Sequence, residues 1–152
     1  MPDSDRTASL TAEEKALIRA LRPAMAALMR AFDDDLRRSQ GLSHAEYITL
    51  MFLSEAPDRT MRLSDLAELV QQSASALGRT VRRLEADGLV LREQSVEDAR
   101  SFNAVLTDAG LARLEQAHPI HIASVRRHLL DRLEGVDLAN LATAFRHITD
   151  SA

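Results

Sequence analysis

The sequence predicts a mainly α fold with a small β-wing, a winged helix-turn-helix unit flanked by N- and C-terminal helices. Three observations carry this. Two capped apolar-periodic segments, around Leu63–Val70 and Ser73–Ala86, are separated only by Gln71 and Gln72. Two short apolar runs follow, Leu89–Gln94 and Ser101–Leu106, with the polar stretch Ser95–Arg100 between them. On either side lie longer stretches of helical period that so small a unit cannot bury.

Residues 1–9 are polar, carry Pro2 and lack periodicity, and are expected to form a mobile tail. The N-terminal helical region is placed at 10–41. Thr11 and Glu14 have the spacing of a capping box, Leu17, Leu21, Met25, Leu28, Phe32 and Leu36 form a stripe, and Gly41 closes the helix. Pro23 falls within the stripe and predicts a kink near Arg19–Leu21.

The winged unit is placed at 42–106. Ser43 and Glu46 repeat the capping-box signal, with Leu42 and Tyr47 as a staple, and the largely apolar helix that follows stops before Pro57. Met61–Leu63 is a candidate third strand for the wing. Ser64 reads as the cap of the next helix and Ser73 as the cap of the one after it. Leu77, Val81 and Leu84 then share one face, which turns Ser75, Arg79, Arg82, Arg83 and Ala86 towards solvent, and Gly88 stops the helix. Two helices in so tight a turn, the second displaying arginines and small polar residues, have the plan of a helix-turn-helix whose second helix enters the major groove. A ribbon tipped by Arg100 suits the minor groove.

Residues 107–152 form the C-terminal helical region. Thr107 caps a helix running through Leu111, Leu114, Ile120, Val125, Leu129 and Leu133, bent or divided at Pro119 and ended by Gly135; Asp137 begins a last helix. The faces of the flanking helices predict a homodimer, and a twofold dimer predicts an inverted-repeat operator in double-stranded DNA.

Composition narrows the function. At 152 residues and 45% hydrophobic content the chain can fill a core without staples. It has no cysteine, which excludes disulfides, thiolate catalysis and a sulfenic-acid switch. No run approaches the roughly 18 apolar residues of a membrane span, and the first residues lack an apolar signal core, so a cytoplasmic location with no membrane partner is expected. The net charge of −4 argues against a general polyanion binder but leaves a local basic face open. Lys15 is the only lysine. The positive charge is therefore nearly all arginine, from genomic bias or because the planar fork suits phosphate and guanine. Nothing in the chain resembles a nucleophile with its base, a phosphate loop or a carboxylate pair, and neither enzyme activity nor a cofactor is expected.

Four markers in register, the capped helix, RTVRRLEADGLV, Asp98 with Arg100, and LTDAG at Leu106–Gly110, resemble the MarR (multiple antibiotic resistance regulator) family, with motif support from about Leu42 to Gly110. The resemblance implies a dimeric DNA-binding regulator, most simply a repressor. It assigns base edges to Ser75, Ala76 and Arg79 and phosphates to Ser73, Thr80, Arg82 and Arg83. Ser64, Asp98 and Arg100 complete the candidate DNA set, with Arg100 either in the minor groove or paired to Asp98, or both. The chain departs from the family at Ala99, where a first wing arginine is common.

Effectors of the family typically enter where dimer helices meet the winged unit. Met25, Leu28, Met51 and Phe52 are the candidate apolar lining there, with Arg19, Arg22, His118 and His121 as polar handles, a set that favours a small aromatic acid or phenol. Among the five histidines, His118, His121 and His128 share one helix, but without cysteine or a close carboxylate they are read as structural and no metal site is assigned. Two other readings remain open: a winged module that binds an acidic protein partner, and a metal-responsive regulator.

Overall fold

The computed structural model describes residues 9–152, so the tail expected at 1–9 lies, apart from Ser9, outside the described residues. Six helices and three strands follow one another as α1 (Ala12–Gln40), α2 (His44–Glu55), β1 (Thr60–Arg62), α3 (Leu63–Leu69), α4 (Ala74–Ala86), β2 (Val90–Gln94), β3 (Phe102–Leu106), α5 (Asp108–His128) and α6 (Leu138–Ser151). The three strands form one antiparallel sheet in the order β1-β3-β2, with Thr60 opposite Val105 and Val90 opposite Leu106.

Local chemistry sets most of the boundaries. Thr11 and Ser43 each close a reciprocal capping box, with Glu14 and Glu46 respectively. Gly41 ends α1 in the left-handed region at φ 66°. The core gathers Leu36, Leu42, Tyr47, Leu50 and Leu53 with Leu66, Leu77, Val81, Leu84, Val90 and Leu106, so one apolar cluster spans the end of α1, the helix-turn-helix and the root of the wing.

Several boundaries differ from the sequence reading. Arg62, not Ser64, is the residue before α3; it makes no side-chain cap, and Ser64 sits one residue inside the helix, its hydroxyl beside Asp65. The strand is Thr60–Arg62, because Leu63 already opens α3. Helix α5 ends at His128, about two turns before the expected stop at Gly135, and a 3-10 turn at Leu130–Arg132 leads to Gly135 at φ 81°. Neither Pro23 nor Pro119 divides its helix. Both prolines are exposed, so the carbonyl left without a donor can be hydrated.

Two contacts fix α5. At its start the Thr107 hydroxyl donates to the Gly88 carbonyl (2.7 Å) and accepts the Gly110 N–H (2.9 Å). A Cβ on Gly110 would overlap the Leu89 carbonyl oxygen and come within 2.6 Å of Leu106 Cδ1. Near its end the Asp35 carboxylate of α1 takes Ser124 Oγ (2.6 Å), Arg127 Nη2 (3.1 Å) and His128 Nε2 (3.1 Å) on one oxygen and Arg38 Nη2 (2.9 Å) on the other. These donors hold the Asp35 carboxyl below its usual range, the Ser124 hydroxyl first among them.

Beyond that seam the flanking helices leave apolar faces open. Leu17, Ile18, Leu21, Met25 and Met29 of α1, with Phe145 and Ile148 of α6, are exposed, whereas Phe32 and Leu36 are buried.

Gly110→Ala gives opposed expectations. Helix propensity alone would stabilise the protein by about 1 kcal/mol, while overlap with a backbone carbonyl costs about 1–3 kcal/mol or more. Net destabilisation is expected by chemical denaturation, larger than for Gly41→Ala, where the added Cβ meets open space and only the left-handed backbone is strained. A more stable Gly110→Ala protein would refute the packing described here.

Candidate nucleic-acid interface

Helix α4 is aimed by the turns at its two ends. Before it, α3 closes with Gln71 in the left-handed region at φ 57°, the Gln71 N–H on the Glu68 carbonyl and the Gln72 N–H on the Ala67 carbonyl. This is a Schellman closure without glycine, at a backbone cost of roughly 1–2 kcal/mol. Ser73 then caps α4, its Oγ accepting the Ala76 N–H at 3.2 Å. After α4 the same closure recurs with glycine: Gly88 at φ 73° bonds Glu85, and Leu89 bonds Leu84. With Leu77, Val81 and Leu84 buried, the helix cannot rotate, and Ser75, Arg79, Arg82 and Arg83 lie exposed.

Two candidate residues behave otherwise. Thr80 is buried, 3% exposed, and its hydroxyl is directed at the Ala76 carbonyl and Gln72 Oε1, so it braces the turn and does not reach a phosphate. Arg83 forms an ion pair with Glu46, Nε lying 3.2 Å from Oε1. Ala76 is half-buried, and the Ser73 hydroxyl, also 3.3 Å from Ser75 Oγ, is engaged in its cap.

At the wing tip Asp98 does not pair with the Arg100 guanidinium. Its carboxylate accepts the Arg100 N–H (3.0 Å) and the Ser101 hydroxyl (3.0 Å), and these bonds hold the carboxyl below its ordinary range, the Arg100 N–H foremost. The aspartate thus shapes the loop and leaves the guanidinium to solvent. Arg92 braces the wing's root, bonded to Glu85 at 3.1 Å and lying 5.8 Å from the centre of the Phe102 ring.

Arg62 belongs with this surface and was absent from the sequence reading. It lines a notch of about 270 Å³ together with Ser64, Arg100 and Ser101, and it pairs with Glu97 at 3.5 Å. Its place depends on the pairing of Arg62 with Asn103 across β1 and β3, for which the local sequence carries no signal.

The proposed effector set does not converge within one chain. Arg19, Arg22 and Met25 lie on the exposed half of α1. Leu28 lines a notch with His128. Met51 and His118 line a different cleft of about 350 Å³, with Leu111, Leu114, Glu55 and Glu115. Phe52 packs against the core. His118 Nδ1 is bonded to the Tyr47 hydroxyl at 2.9 Å. His121 sits among Tyr47, Phe32 and His44, with ring centres 4.5, 5.5 and 5.4 Å away, and its buried Nδ1 has no partner. Of the three histidines of α5, His118 and His121 therefore meet at Tyr47, and His128 belongs to Asp35.

Taken together, a capped helix-turn-helix, a three-stranded wing and flanking helices define a winged-helix regulator. Comparisons make the class specific. A MarR family model matches residues 40–101. The chain is 34% identical to Sco3205 of Streptomyces coelicolor, a MarR family transcriptional regulator solved in complex with DNA, at a TM-score of 0.88 over 94% of this chain and 89% of that one. It is 37% identical to AbsC, a MarR family regulator of the same organism, at a TM-score of 0.85 over 94% and 96% of the two chains. Among curated relatives, the HTH-type transcriptional repressor YetL of Bacillus subtilis (strain 168) is 33% identical over 86 residues, 57% of this chain and 52% of that protein. The match thus spans about half of that relative's length. The chain belongs to the MarR family.

Burial, helped by the charges of His44 and His118, pushes the His121 pKa down from 6.5 to about 4. The unfolded chain then takes up a proton that the folded chain refuses, and stability falls as pH drops from about 6.5 towards about 4. His44, also lowered by burial, adds to the slope. Replacing His121 by Leu should flatten the denaturation midpoint across that window; an unaltered slope would remove His121 as its source.

Proposed function

We propose that the chain is a sequence-specific DNA-binding transcriptional regulator, a repressor that works as a homodimer on an inverted-repeat operator. The observation that carries this reading is charge without a counter-charge. Among the described residues, Arg79 and Arg82 on α4 and Arg100 on the wing are exposed and enter no ion pair. In a chain of net charge −4 such guanidinium groups are a local cationic surface. Ser75 and Arg79 on the outer face of α4 are the base-reading residues, with Arg82, Arg83, Arg62 and Arg100 on the backbone. That Sco3205 was solved with DNA supports the reading. So do the open apolar faces of α1 and α6, which a second copy would cover.

Arg79→Ala should cost about 1–3 kcal/mol per subunit on a duplex selected from genomic fragments, and relax its base preference. Arg100→Ala should weaken all duplexes more evenly, with both proteins folded. A salt-controlled titration decides this. Equal binding by parent and both variants would mean the reading face is elsewhere, and steep salt dependence without preference for any duplex would favour an acidic protein partner.

Release from DNA by a small aromatic ligand is the second part of the proposal. The α2–α5 cleft combines Met51, Leu111 and Leu114 with His118, but Glu55 and Glu115 also line it. Two carboxylates repel an anionic ligand, so a phenol suits the cleft better than an aromatic acid. Simple phenols are expected to raise the melting temperature and release the operator, benzoate to do less, and peroxide nothing. Control by a divalent ion alone, reversed by chelation, would overturn this assignment.

A further inference from the structure

The pairing of Arg83 with Glu46 joins the reading helix to α2 in an asymmetric way. Glu46 is 8% exposed, and its two oxygens have different tasks. Oε2 accepts the Ser43 N–H at 2.8 Å to complete the α2 cap, while Oε1 faces Arg83 Nε at 3.2 Å. The cap is itself anchored to α1, because Asp33 Oδ1 accepts the His44 N–H (2.9 Å) and Oδ2 takes Arg37 Nε (2.6 Å). Arg83 approaches Glu46 most closely through its inner nitrogen, and its side chain is 61% exposed.

An ion pair whose nearest approach is at Nε confines the guanidinium to the mouth of the α2 cap and leaves its terminal amino groups without a hydrogen bond among the described residues. We propose that Glu46 is a positioning residue for DNA binding: it aims the terminal fork of Arg83 at a backbone phosphate and ties that aim, through the α2 cap and Asp33, to α1. This rests on the DNA-binding reading above. It predicts the opposite sign from simple electrostatics, by which removing a negative charge near the interface should tighten DNA binding. An aimed fork binds phosphate in two places, whereas a released one must be ordered first.

The test uses the full chain and a duplex selected from genomic fragments, titrated at several salt concentrations. Glu46→Gln keeps an oxygen for the Ser43 N–H but loses the charge that pairs with Arg83. It should weaken binding about three- to tenfold with an unchanged melting temperature. Arg83→Lys, which keeps the charge without the fork, should weaken binding similarly, and the two changes together should be no worse than Arg83→Lys alone. Arg83→Ala should lower the slope of log affinity against log salt by about one per subunit. Binding of Glu46→Gln that equals or exceeds the parent's, or losses that add in the double variant, would overturn the positioning role and leave the DNA-binding reading intact. Should Glu46→Gln melt early, Arg83→Lys decides, and parent-like affinity there overturns the role equally. A parent chain that prefers no duplex would sink the DNA-binding reading itself, and this role with it.

Discussion

The structure depends on a close approach of backbone to backbone at Gly110. Leu89 follows the glycine that ends the reading helix, and its carbonyl accepts the Thr107 N–H at 3.2 Å. Thr107 in turn holds the Gly88 carbonyl and caps α5. The end of α4, the roots of β2 and β3 and the first turn of α5 therefore meet within a few residues, packed so tightly that no side chain fits at Gly110. Such a junction leaves little freedom to reorient the reading helix without moving α5. The orientation of the DNA-facing surface is in this way referred to the long helix that packs along α1.

At the far end of α5 the reference is electrostatic. Asp35 is nearly buried and meets Ser124, Arg127 and His128 from α5 as well as Arg38 from its own helix. A carboxylate so placed contributes little net stability when fully partnered, yet is costly to leave unpaired. Its main effect is to specify which turn of α1 faces which turn of α5. Past this point the apolar stripe of α1 has no covering among the described residues, and Leu17, Leu21 and Met25 continue the line of Phe32 and Leu36 into solvent. The same stripe thus serves two purposes: its C-terminal third closes the winged core and the rest is offered outward.

Much of this was legible in the sequence because caps and left-handed turns are local. Thr11, Ser43, Ser73, Thr107 and Asp137 each cap the helix that the residue pattern assigns them, and Gly41 and Gly88 stop theirs. What failed depended on tertiary contacts. Ser64 has the chemistry of a cap, but the pairing of β1 with β3 brings Arg62 to the helix start and draws Ser64 inside. Thr80 lies on the flank between faces, and only its bond to Gln72 across the turn shows that it faces inward. Asp98 and Arg100 look like an ion pair two residues apart, yet the backbone N–H of Arg100, not its guanidinium, takes the carboxylate. The eight candidate effector residues carry no local signal of a shared cleft, and the helices distribute them over several surfaces.

Two arginine–glutamate pairs now lie at the DNA-facing surface, and burial separates their roles. Arg62 and Glu97 are 3.5 Å apart, with the glutamate side chain 87% exposed. A pair of that kind is worth about 0–1 kcal/mol, which an incoming phosphate readily displaces. On the proposed reading Arg62 then becomes available beside Arg100, with which it lines one notch. Glu46 is different, because its side chain is 11% exposed and already fixed by the α2 cap. Pulling Arg83 away from it would strand a nearly buried charge, a cost of several kcal/mol where burial is complete. On the proposed DNA-binding reading, then, the wing's cation is the mobile one, free to exchange an internal partner for DNA, while the cation on the reading helix would approach DNA with its internal partner retained.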